Sequence, residues 1–129
     1  MKRVIIVHGW DFNPSMNWYP WLKNELEKIG YKVIVPEMPN MEEPKINSWV
    51  LYLKNVVGKL NKETLFIGHS IGCQTIMRYL EKESFSDKVK VIFVAGWFKL
   101  NNLENEEVKK IAKPWIETPI DFNKVKSKI

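Results

Sequence analysis

Four short runs of apolar and β-branched residues punctuate this chain, and between them the apolar spacing turns helical. Val4-Ile5-Ile6-Val7 has no polar residue at either alternate position. A strand with one wet face alternates, so an unbroken run of this kind belongs inside a parallel sheet covered on both sides. Lys32 to Val35, Thr64 to Ile67 and Val89 to Ala95 read as three further strands. The intervening segments carry helical periods. In Pro20 to Ile29, proline opens the first turn, Leu22, Leu26 and Ile29 share a face, and Gly30 ends it. Lys45 to Leu60 repeats Ile46, Trp49, Val50, Leu53, Val57 and Leu60, and Ile71 to Glu81 has Cys73, Ile76, Met77 and Leu80 as its buried stripe. A charged helix is expected near Glu104 to Ala112, followed by a tail holding Trp115 and two prolines. This β-α-β-α-β-α-β-α order predicts a three-layer α/β/α fold with a parallel sheet, in one domain over residues 1–129. If the chain crosses back after its second strand, the strand order is 2-1-3-4.

Composition narrows the class. The chain is 45% hydrophobic and 27% charged, which excludes a disordered tail. Its longest apolar runs are far too short to span a bilayer, so no membrane partner is expected. The net charge of +5 comes from 18 lysines and only Arg3 and Arg78 as arginines, scattered among glutamates. Nucleic-acid readout favours arginine and clustered charge, so this pattern reads as a solvated surface with no nucleic-acid partner. One cysteine, Cys73, excludes an internal disulfide framework and a cysteine-based zinc site. Met1-Lys2-Arg3 leads directly into the first strand without a signal-peptide pattern, and a cytoplasmic protein is expected.

The chemistry concentrates in Gly68-His69-Ser70-Ile71-Gly72, directly after a strand and opening a helix. A serine in so sharp a strand-to-helix turn is held in a strained conformation with its hydroxyl clear of the sheet, and the crowding demands glycine two residues before and after. The helix N-terminus brings free N–H groups to the same point. His8-Gly9-Trp10 ends the first strand. In the order 2-1-3-4, the ends of strands 1 and 3 meet at the topological switch point, where ligands bind. The backbone N–H groups of Trp10 and Ile71 can there form an oxyanion hole for an acyl reaction at Ser70.

The chain resembles the α/β-hydrolase superfamily, and within it the small serine hydrolases related to retinoblastoma-binding protein nine and the bacterial YdeN-type proteins. The resemblance rests on His8-Gly9-Trp10, Trp18-Tyr19-Pro20-Trp21-Leu22-Lys23, the Pro36-Glu37-Met38-Pro39 loop, Trp49, Gly68-His69-Ser70-Ile71-Gly72, Met77-Arg78-Tyr79 and Lys113-Pro114-Trp115. It implies Ser70 as nucleophile, a small ester or related acyl substrate, and no metal or organic cofactor.

A serine nucleophile needs a histidine oriented by an acid, and in this superfamily both follow the serine. Here only His8 and His69 exist, and no histidine follows Ser70. The resemblance assigns His8 to the oxyanion turn, and Asp11, Asp87 and Asp121 match no family acid. The chain is therefore expected to lack C-terminal strands, stopping one or two βα units early, each about 30 residues long. Its fourth strand would then be an edge, yet Val91 to Ala95 are all apolar, which invites pairing with a neighbour such as a second copy in a homodimer. The alternative reading is a catalytically inactive hydrolase-fold interaction module or decayed fragment. A flavodoxin-like nucleotide site fits less well, because strand 1 leads into His8-Gly9 and not a glycine-rich phosphate loop. Trp18, Tyr19 and Trp21 are expected either to wall an acyl pocket or to pack where the first helix meets the sheet; Trp97 and Phe98 stand in the same position after strand 4. Cys73 is expected to be a buried, inert thiol.

Overall fold

The structure is a computed structural model that describes residues 2–101, 103 and 105–129. Strands β1 (Arg3–Val7), β2 (Lys32–Ile34), β3 (Thr64–His69) and β4 (Lys90–Val94) form one sheet in the order β2-β1-β3-β4. All three pairings are parallel, with Val4 opposite Val33, Ile5 opposite Phe66 and Ile67 opposite Ile92. The order is the one expected from the sequence. Val4, Ile5, Ile6 and Val7 are all fully buried, as the unbroken run in β1 requires.

The two sheet faces are covered by different helices. Val4, Ile6, Val33 and Ile67 pack with Tyr19, Leu22 and Leu26 of α1 (Tyr19–Lys28). Ile5, Val7 and Phe66 point the other way, against Trp49, Val50, Leu53 and Val57 of α2 (Ile46–Val57) and Ile71, Ile76, Tyr79 and Leu80 of α3 (Ile71–Lys82). Alternate residues of one strand thus serve opposite layers. Gly58, at φ 62 and ψ −120, ends α2. Arg3 fastens the lower end of the sheet to that turn, donating from Nε to Thr64 Oγ1 (2.9 Å), from Nη1 to the Val57 carbonyl (2.8 Å) and from Nη2 to the Lys59 carbonyl (2.8 Å).

Helix α3 departs from a one-sided stripe. Every residue from Ile71 to Leu80 is buried, because α2 flanks it on one side and the short helix α5 (Phe122–Lys126) packs on it from another. Ile120 and Val125 meet Cys73 and Met77 there. The sequence pattern did not predict α5.

The charged helix expected near Glu104 to Ala112 is present and continues into the segment expected as a tail. Helix α4 runs Glu106–Glu117 straight through Pro114; the Glu104 expected to start it lies outside the described residues. Asn105 caps its N-terminus by accepting from the Val108 N–H. Pro114 forfeits one intrahelical bond, and its side of the helix lines an open cleft against residues 43–48. Trp115, fully buried, repays the loss: it packs edge-on to Trp49 and donates from Nε1 to the Pro44 carbonyl at 2.8 Å.

Strand β4 is the sheet edge, and its side chains Ile92 (50% exposed) and Phe93 (38%) are open. Among the described residues no helix is long and apolar enough to cross a membrane.

Candidate active site

Ser70 sits between β3 and α3 at φ 55 and ψ −122. These angles mirror the ordinary turn conformation near −60° and +120°, and glycine normally supplies them. The strain is built in by neighbours. Ser70 N–H donates to the Val94 carbonyl at 2.9 Å, and the Ser70 carbonyl accepts from Cys73 N–H at 3.1 Å. A Cβ on Gly68 would come within 2.8 Å of the Cys73 backbone, and one on Gly72 would fall on the Val7 carbonyl oxygen. Both motif glycines are therefore required by contact, Gly68 by the start of α3 and Gly72 by the end of β1 rather than by each other alone.

A serine preceding a helix normally turns its oxygen onto the helix N–H groups as a cap. Ser70 makes no such bond. Its hydroxyl instead accepts from the Trp97 indole, Nε1 to Oγ, at 3.1 Å. The N-terminal donors of α3, Ile71 first among them, are left uncapped by the side chain.

The turn after β1 adjoins the serine. A Cβ on Gly9 would lie 3.1 Å from Ser70 Cβ and 2.9 Å from the Phe12 ring, so glycine lets the Gly9-Trp10 backbone approach. This turn is held by bonds that the sequence did not disclose. Tyr19 is fully buried; its hydroxyl accepts from Gly9 N–H (3.3 Å) and shares a hydrogen bond with His69 Nδ1 (2.6 Å). Trp10 Nε1 donates to the Glu42 carbonyl and Asp11 N–H to the Met41 carbonyl, both at 2.9 Å.

Neither histidine serves Ser70. His8 is fully buried, donating from Nδ1 to the Gly9 carbonyl and accepting from Met38 N–H at Nε2, both at 2.9 Å. It joins the loops after β1 and β2. Burial depresses its pKa below the ordinary imidazole value. His69 points to the opposite side from Ser70, bonded to Tyr19 and stacked on Phe12 with ring centres 5.3 Å apart; burial lowers its pKa too. Asp87 and Asp121 are also elsewhere: Asp87 accepts from Lys88 N–H, and Asp121 caps α5. Among the described residues no group of three or more His, Cys, Asp and Glu side chains is placed to hold a metal.

The aromatic residues divide. Tyr19 is core, Trp18 packs edge-on to Tyr19 and His69, and Trp97 reaches the serine. Trp21 is 64% exposed and serves neither as pocket wall nor as core, because the face of α1 that packs on the sheet is set by Leu22 and Leu26. Phe98 lies against Phe122. Cys73 is buried, and burial pushes its thiol up to about 11. The residue most thoroughly missed is Gln74, whose Nε2 donates to the Trp97 carbonyl at 2.7 Å. Its only signal in the sequence is polarity at an interval of four between Ser70 and Arg78, on a helix otherwise apolar toward the core.

Known proteins resemble this chain in sequence and fold. The chain is 32% identical over 99 residues to a protein named putative hydrolase YdeN from Bacillus subtilis, covering 76% of this chain and 52% of the relative. It is 27% identical over 117 residues to the rat protein named serine hydrolase RBBP9, covering 88% and 61%. The crystal structure of the B. subtilis ydeN product superposes with a TM-score of 0.85 at 27% identity, over 97% of this chain and 65% of that one. An esterase from Pyrococcus furiosus shares the fold at a TM-score of 0.54 and 19% identity, over 98% and 56%. The chain thus spans between half and two thirds of the length of these relatives. A family model described as serine hydrolase matches from residue 4 to residue 126, and with the strained serine turn in place that match makes this chain a member of the serine hydrolase family.

Proposed function

We propose that the protein is a carboxylesterase-type hydrolase in which Ser70 attacks the acyl carbon of a small ester or related substrate. The observation that carries this reading is the Ser70 backbone, held at φ 55 and ψ −122 with the hydroxyl turned off the helix end. No structural need calls for a serine there, since glycine adopts these angles without strain. The N–H groups of Trp10 and Ile71 are the oxyanion donors, on the strength of the Gly9 approach to Ser70. The reading requires a proton acceptor other than His8 and His69, both committed elsewhere. Residues seated beside the open edge of β4 are its proposed source, and the greater length of the relatives supports this.

A fluorophosphonate probe followed by peptide mass spectrometry tests the assignment. The expected adduct is on Ser70 and absent from Ser70→Ala. No adduct in a chain extended to the length of its relatives overturns the nucleophile. That outcome would favour an inactive interaction module, for which the apolar edge at Ile92 and Phe93 speaks. The same edge supports a homodimer paired through residues 89–95. Sedimentation showing a monomer at all concentrations would remove it.

A further inference from the structure

A serine hydroxyl has one proton and two lone pairs, and it rotates freely unless its surroundings choose for it. Ser70 has such a neighbour. The Trp97 indole is a donor only, and at 3.1 Å from Oγ it takes one lone pair. The second lone pair remains for attack, and the proton is left to a base.

The indole needs fixing, because it stands on a surface loop whose other residues, Ala95, Gly96 and Phe98, are exposed. Gln74 fixes it by donating to the Trp97 carbonyl at 2.7 Å. An amide can face either way, and Arg78 decides which. Arg78 carries donors alone, and its Nε (3.2 Å) and Nη2 (2.9 Å) both meet Gln74 Oε1. Turning the amide over would set N–H against N–H at one end and oxygen against oxygen at the other. Arg78 is itself buried and anchored. Its Nη2 reaches the carbonyls of Trp115 (3.3 Å) and Thr118 (2.7 Å) at the end of α4, and its guanidinium lies 5.8 Å from the Trp115 ring centre. Ser70, Gln74 and Arg78 succeed one another every four residues, along one side of α3.

We propose that Arg78, Gln74 and Trp97 form a relay that sets the Ser70 hydroxyl for attack, with Trp97 acting on the nucleophile oxygen and Gln74 and Arg78 as positioning residues. The proposal rests on the reading of Ser70 as nucleophile. As a base takes the hydroxyl proton, one Oγ lone pair forms the bond to the acyl carbon and the carbonyl π pair passes to the carbonyl oxygen; the alkoxide character that Oγ carries on the way makes the indole bond charge-assisted. The bond thus strengthens toward the transition state, so it acts on rate more than on binding.

Two variants separate the relay from simple packing. Trp97→Phe keeps a ring and removes the donor. Gln74→Glu keeps the size and the acceptor for Arg78 but, ionised, has no proton for the Trp97 carbonyl. The first readout is the indole N–H spectrum of tryptophan-labelled protein, in which six signals are expected from six tryptophans. The Trp97 signal is the one lost in Trp97→Phe. It should shift in Ser70→Ala, and in Gln74→Glu it should exchange with solvent at least about ten-fold faster while the other signals hold. An unmoved Trp97 signal in both variants overturns the relay. Should Gln74→Glu fail to fold, Ser70→Ala decides it. The second readout is fluorophosphonate labelling. Trp97→Phe and Gln74→Glu should each slow labelling about ten-fold through the inactivation step, with unchanged dependence on probe concentration. Wild-type rates in both overturn the role in attack. If the wild type, including its extended form, gives no Ser70 adduct, the nucleophile reading falls, and the indole signals still decide whether the relay exists.

Discussion

The Ser70 backbone makes a prediction that inverts a general rule. In regular structure, alanine is more stabilising than glycine by about 0.5–1 kcal/mol, because glycine has more freedom to lose. At Ser70 the order should reverse. A left-handed backbone costs an L-residue roughly 1–2 kcal/mol, and glycine escapes that cost. Its greater chain entropy in the unfolded state returns about 0.4–1 kcal/mol. Ser70→Gly should therefore exceed Ser70→Ala in stability by about 1 kcal/mol. Both variants lose the Trp97 bond equally, so the comparison isolates the backbone. The chain contains its own control. Gly58 has nearly the same angles, φ 62 and ψ −120, and a Cβ there meets nothing within 4 Å. Gly58→Ala should thus lose about the same 1 kcal/mol from strain alone. Urea titrations with unchanged slope measure both differences, and a thermal shift of about 3–5 °C should accompany each. If Ser70→Ala equals or exceeds Ser70→Gly, the serine is not strained and the argument for a functional elbow loses its physical basis.

Other expectations follow from contacts already described. Gly72→Ala places a Cβ on the Val7 carbonyl oxygen, backbone against backbone, and should cost about 3 kcal/mol or more by urea denaturation. With its thiol pushed up to about 11, Cys73 should resist thiol reagents at pH 8 in the folded chain and react on unfolding; rapid modification of the native protein would contradict its burial. His8 and His69 both have pKa values depressed by burial from the ordinary 6.5. The unfolded chain therefore takes up these protons first. Stability is fully present above about pH 6.5 and falls as pH drops through it toward the folded values, by up to about 1.4 kcal/mol per unit for His8 and by less for the more exposed His69, whose charge solvent screens. A flat profile between pH 7 and 5 would refute that account.

The sheet was legible because parallel strands buried on both faces leave an unmistakable apolar run, as Val4 to Val7 shows. The serine turn was legible because its residues follow one another in the chain between a strand run and a helical period, although the Val7 carbonyl that demands Gly72 lies on another strand. What escaped reading depends on neighbours remote in sequence. Pro114 continues a helix only because Trp115 finds Trp49 and the Pro44 carbonyl across the fold. Tyr19 reads as one more core aromatic until its hydroxyl is seen between Gly9 and His69. Gln74 shows only its four-residue interval to Arg78; the Trp97 carbonyl that gives it meaning lies 23 residues away.

Helix α3 divides the molecule into what can vary and what cannot. It is walled in from Ile71 to Leu80, so any change there disturbs packing before it reaches a substrate. Under the function proposed for Ser70, selection for a different acyl group has little purchase on this helix. At the same mouth, solvent reaches Asp11 in the turn after β1 and Ala95, Gly96 and Phe98 in the loop after β4. Diversity of substrate among chains of this type should be inscribed in those two loops, while the helix that carries the serine stays a fixed axle beneath them.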